Sequence, residues 1–87
     1  MKLERWTTTR NGAKHVSGLE VVRQTHAHKG CFYFACCVEL GLDYKALWKA
    51  HELNTAMEEA VAYALEKIEN CREDLNRMER LLKEEIS

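Results

Sequence analysis

The chain contains no proline, and its four glycines, Gly12, Gly18, Gly30 and Gly41, all lie in its first half. Everything after Gly41 is free of both strong helix breakers, which argues against an all-β fold. The longest unbroken apolar run is Cys31–Val38, eight residues against the roughly 20 that a membrane-spanning helix needs. Met1–Thr9 has no apolar stretch of signal-peptide length, so the expectation is a cytoplasmic protein without a membrane partner. Net charge is scarce too: −1 over 87 residues is not the balance of a bulk nucleic-acid binder. Glycine-rich phosphate loops and paired catalytic carboxylates are missing, and a chain this short has little room for a substrate pocket. No enzyme is expected.

Four cysteines are present: Cys31, Cys36, Cys37 and Cys71. Two of them are adjacent and no export signal precedes them, so they read as reduced thiols, the first three as small buried hydrophobes. His26, His28, Cys31, Cys36 and Cys37 offer zinc-ligand chemistry within twelve residues. Their spacing matches no zinc knuckle, and adjacent cysteines seldom hold one ion. No metal and no cofactor are expected. Cys31 beside His26 or His28 could be drawn as a nucleophile and base, but no third group or oxyanion hole goes with them.

What the chain does have is 46% apolar and 31% charged residues, enough to fold one small domain. The charge is divided. Residues 1–51 carry eight Lys/Arg against four Asp/Glu, and residues 52–87 carry five against ten. Two regions follow, a basic and aromatic 1–54 and an acidic, amphipathic 55–87. The fold expected is mainly α: a small helical domain with an N-terminal hairpin or arm and a long C-terminal helix.

Lys2–Thr9 has the composition of a strand and Asn11-Gly12 is a hairpin-type turn signal, so the first residues fit a hairpin or a loose arm. Ser17-Gly-Leu-Glu20 has capping-box spacing and predicts a short helix from Gly18 to about His28, stopped by Gly30. Cys31–Val38 suits a buried strand or a buried helix; the continuation to Gly41 favours helix. Asp43 would cap a further helix to about Leu53, giving a helical corner over 31–53. Thr55-Ala-Met-Glu58 is a second capping box, and one helix is expected from Ala56 to Ile86.

That last helix carries a heptad seam. Met57, Val61, Ala64, Ile68, Cys71, Leu75, Met78 and Leu82 follow at alternating spacings of four and three, a stripe of about 39 Å. The front half would form a globule only about 25 Å across, too small to cover it. The eight seam residues are therefore read as a homodimer interface, Leu75–Leu82 above all. Parallel pairing would set Lys67 against Arg72 and Asp74 against Glu79, so antiparallel helices or a four-helix arrangement are favoured. Glu52, Glu59, Glu66 and Glu73 recur every seven residues as an outer, solvated face.

Residues 39–53, Glu-Leu-Gly-Leu-Asp-Tyr-Lys-Ala-Leu-Trp-Lys-Ala-His-Glu-Leu, resemble the helix-turn-helix of Fis and NtrC-type regulators, with Leu40, Gly41, Leu42, Leu47, Trp48 and Lys49 at matching positions. The resemblance implies a second helix in the DNA major groove, presenting Tyr44, Lys45, Trp48 and Lys49. By subtraction, the preferred expectation is a non-enzymatic, homodimeric protein that docks on a protein or nucleoprotein partner as inhibitor or adaptor. Phage-encoded inhibitors of host enzymes or defence complexes are a class-level analogy. Its contacts would come from the basic and aromatic front, Trp6, Arg10, Arg23, Lys29, Tyr44, Lys45, Trp48 and Lys49. The alternative is a helix-turn-helix regulator that binds DNA.

Overall fold

A computed structural model describes residues 2–28 and 31–86, with 25–28 as backbone alone. The chain is an α+β meander, not a mainly α domain. A single 3-10 turn, Leu3–Arg5, leads into β1 (Trp6–Thr9), β2 (Gly12–His15), β3 (Glu20–His28) and β4 (Cys31–Cys37). A second 3-10 turn, Val38–Leu40, precedes β5 (Leu42–Ala46), and α1 (Leu53–Glu85) ends the fold. The five strands form one antiparallel sheet in the order β1-β2-β3-β4-β5. α1 lies across one face, touching β2, β3 and β4.

The hairpin signal at Asn11-Gly12 is realised, with Trp6 opposite His15 and Thr9 opposite Gly12. Arg10 and Asn11 form its two-residue loop. Ser17 acts as its chemistry suggests, yet at a strand turn and not at a helix start. Its hydroxyl accepts the Leu19 N–H at 3.4 Å and pairs with His15 Nδ1 at 2.7 Å. A serine that bonds the N–H two residues on closes a turn as readily as it caps a helix. The helix expected over 18–28 is therefore strand β3, its start held by Val21 and Val22, which favour extended backbone.

The helix expected over 31–38 is strand β4. Cys31, Tyr33, Ala35 and Cys37 are buried while Phe32, Phe34 and Cys36 are half-buried, a strict alternation. Because both sets are apolar, the two-residue period is invisible in the residue types. The corner helix expected from Tyr44 to Leu53 is absent. Gly41 stops a helical turn as expected, at φ 69, but the turn is 3-10 and β5 follows. Cys37 sits opposite Leu42 and Ala35 opposite Lys45, so one extra residue bulges from β5. Tyr44 takes that place at φ 50.

The core lies between sheet and helix. Val21 and Leu47 are wholly buried, with Ala13, Ala35, Ala50, Ala56 and Ala60 around them. Small residues on both sides let the helix sit close to the sheet, so shape matters more here than bulk. Leu47→Ala should cost about 2–5 kcal/mol, because it removes one of the few large side chains of a core built from alanines. A urea titration with a loss below about 1 kcal/mol would contradict that packing.

Met57 and Ala64, expected at a dimer interface, are 3% and 8% exposed against this chain's own sheet, and Val61 packs on the same cluster. The first third of the seam is thus spent within the chain. α1 starts at Leu53 with Glu52 as N-cap, so Thr55 lies inside the helix and the second capping box is unused. After Ala64 no helix residue is buried. The helix, about 50 Å long at ~1.5 Å per residue, sets the long axis of a molecule measuring 54 × 31 × 17 Å.

Candidate functional site

Three surface features stand out, and each is built by a different part of the chain. The first is an open groove of about 630 Å³ at the β1–β2 loop, lined by Thr8, Thr9, Arg10, Asn11, Gly12, Arg23, Gln24, Phe32, Tyr33 and Leu53. The hairpin loop is fastened to β3 through the Arg23 N–H, which donates to the Asn11 carbonyl. That bond brings Arg10 and Arg23 to one wall. Both are exposed, and neither has an ion-pair partner among the described residues. Two guanidinium forks, two threonine hydroxyls and two amides beside the Phe32 ring suit an anionic, hydrogen-bond-accepting surface.

The second feature is the β5 region. Tyr44 and Trp48 are 62% and 55% exposed, and Lys45 and Lys49 are exposed beside them. Lys45 Nζ lies 5.1 Å from the Tyr63 ring centre, which holds it over the helix. The Lys49 N–H donates to Glu59 Oε1 at 3.1 Å, tying the loop after β5 to the second turn of α1. Residues 39–53 thus form a 3-10 turn, a strand and the loop into α1, not two helices about a turn. Arg23 opposes Tyr33, and the Tyr33 carbonyl takes the Leu47 N–H just past β5, so β4 stands between Arg23 and the residue that precedes Trp48. Lys29, and the side chains of His26 and His28, lie outside the described residues. Among those described, no cluster of His, Cys, Asp and Glu is placed to hold a metal ion.

The third feature is the side of α1 that carries the seam. A groove of about 490 Å³ runs between the helix and the start of the sheet, walled by Leu19, Cys37, Leu40, Val61, Ala64, Leu65 and Ile68 with Lys2 and Arg5 at its rim. Beyond it the same helix side continues as a shallow channel through Leu75, Met78, Leu82 and Ile86. Leu75, Met78 and Leu82 are 63%, 53% and 64% exposed.

Among the cysteines, all four are free thiols. Burial pushes the Cys36 thiol up; a hydrogen bond from the Tyr44 backbone works against that, and the Glu20 and Asp43 carboxylates add to it. Such a thiol stays protonated at neutral pH and makes a poor nucleophile. Alkylation of Cys36 by iodoacetamide at pH 8 should run several-fold slower in the folded protein than in urea. Equal rates in peptide mapping would contradict the placement.

Comparison adds no relative to this geometry: no protein-family model, curated protein or solved structure matches the chain. The sequence marks both Arg10 and Arg23 as basic contacts but not their groove, because their neighbourhood depends on the β2–β3 register, which no local pattern states.

Proposed function

We propose that this chain is a small, non-enzymatic binding protein that works as a homodimer and docks on a macromolecular partner as an inhibitor or adaptor. One observation carries the reading. From Arg72 to Glu85 every helix residue is exposed, yet Leu75, Met78 and Leu82 continue the heptad seam along it. An isolated helix of about 15 residues is marginal in water. The exposed ion pairs Arg72–Glu69, Arg77–Asp74 and Lys83–Glu79 add only a few tenths of a kcal/mol each. A second copy supplies the missing cover, and the interface keeps its Ile68, Cys71, Leu75, Met78 and Leu82.

The docking face is the sheet end with Arg10, Arg23 and Phe32, extended toward Tyr44, Lys45, Trp48 and Lys49. Its chemistry suits an acidic protein surface. Four free thiols support a cytoplasmic setting, and no helix among the described residues is long and apolar enough to cross a membrane. A thermal melt at two protein concentrations a hundredfold apart tests the assembly. The midpoint should rise with concentration, since folding is then coupled to association. A midpoint independent of concentration would overturn it.

A second reading, a DNA-binding regulator, draws on the two unpaired arginines and the exposed Lys45, Trp48 and Lys49. Fluorescence anisotropy with a generic labelled duplex separates the two. The protein-docking reading expects no binding at low salt; binding that collapses as salt rises would mean phosphate contacts and transfer the function to DNA.

A further inference from the structure

Heptad position, charge and the groove beside Ile68 together define how two copies meet. We propose that two α1 helices pack antiparallel with Leu75 opposite the partner's Met78, so that the partner's Ile86 closes the groove at Leu40, Leu65 and Ile68. This deepens the dimer reading and rests on it.

The register follows from what flanks the seam. With Leu75 opposite the partner's Met78, Cys71 meets the partner's Leu82, completing the apolar layers. One flank then sets Arg72 against the partner's Glu79, and by symmetry Glu79 against the partner's Arg72. Both side chains are exposed, and their present partners Glu69 and Lys83 hold them through surface pairs that cost little to exchange. Sliding the helices one heptad one way sets Arg72 against the partner's Arg72 and Asp74 against the partner's Asp74. Sliding the other way sets Glu79 against the partner's Glu79. Parallel pairing sets Lys67 against the partner's Arg72. Of these arrangements, only the stated register pairs opposite charges.

The same register explains the end of the helix. Leu65, 61% exposed, falls beside the partner's Ile86, the residue that is itself 88% exposed. Leu65 and Ile68 line the apolar groove together with Lys2, Arg5 and Glu39, two cations against one carboxylate. The partner's Glu85 comes to lie beside Ile68, within the field of those two cations. Each globular part thus receives the acidic, apolar tail of the other copy. The two sheets stand apart at opposite ends of the helix pair, with their Ala64 positions roughly 38 Å apart at ~1.5 Å per residue.

Disulfide trapping tests the register directly. In it the two native Cys71 residues are separated by roughly 16 Å along the axis, beyond bridging distance. Wild type, Leu82→Cys, and Cys71→Ser with Leu82→Cys are oxidised mildly, and linked peptides are mapped by mass spectrometry. Sedimentation of each reduced protein runs alongside. The expected result is a covalent dimer in Leu82→Cys alone, linking position 71 to position 82 of the other copy. Ile86→Asp should weaken association about tenfold by removing an apolar side chain from the closed groove. A Cys71–Cys71 link in wild type, or an 82–82 link in the double variant, would overturn the register and leave the dimer standing. A dimer by mass with no link in any variant would do the same. A monomer by mass would overturn both.

Discussion

Replacing Leu75 and Leu82 together with glutamate is expected to abolish dimerisation while leaving the sheet intact. Both side chains are more than half exposed in the single chain, so the substitution removes nothing from its own core. In the dimer it places four carboxylates into apolar layers, where each uncompensated charge costs several kcal/mol. Even about 3 kcal/mol in total weakens association by more than 100-fold. The variant should sediment as a single chain. It should also lose helix signal by circular dichroism, because residues 72–86 then depend on marginal local propensity alone. Unchanged mass with unchanged helicity would mean that the stripe is not where copies meet.

Gly12→Ala has the largest expected effect on stability. A Cβ at Gly12 would stand 1.9 Å from the Val21 carbonyl oxygen and 2.8 Å from its carbon. Those atoms are backbone of the neighbouring strand, and Gly12 sits opposite Val22 in the ladder. No rotamer change relieves the clash; β2 and β3 must separate. That would loosen Ala13 and Val21 in the core and unfasten the Arg10–Asn11 loop that forms the arginine groove. A loss of about 3 kcal/mol or more is expected, a large share of the stability of a domain this small. The melting midpoint should fall by about 10–20 °C. Gly41→Ala is the control. It has open space around its Cβ position and pays only the left-handed backbone penalty at φ 69, about 1–2 kcal/mol. Equal effects of the two substitutions would contradict the close approach at Gly12.

How much of this was legible in the sequence depended on whether one face of an element was polar. α1 was legible because its heptad seam alternates with Glu66 and Glu73 on the far side, though Glu59 of the same series is half-buried against Lys49, and the β1–β2 hairpin because Asn11-Gly12 is specific turn chemistry. β4 was not, since Phe32, Phe34 and Cys36 are as apolar as the Cys31, Tyr33 and Ala35 they alternate with. A glycine stop at Gly41 suits a helix equally well, although here it ends a single 3-10 turn. β3 was misread because Ser17 and Glu20 fit a cap that the chain uses as a strand turn. The mistake over 42–53 has the same root. Asp43 fits a helix cap, but the bulge at Tyr44 and the bond from Lys49 to Glu59 exist only once β4 and α1 are in place.

The candidate site divides the same way. The exposed apolar stripe is a property of one helix and could be read from spacing, except that Met57 and Ala64 are claimed by the sheet. The arginine groove joins a loop to a strand through register. Charge along the chain gives Arg10 and Arg23 separately and their proximity not at all.

The central claim is that the uncovered half of α1 joins two copies, and sedimentation equilibrium over a wide concentration range tests it most directly. The account predicts a mass twice that of the chain, dissociating on dilution and reduced to the single-chain mass by Leu75→Glu with Leu82→Glu. A single-chain mass at every concentration, with the helix signal fully retained, would contradict it.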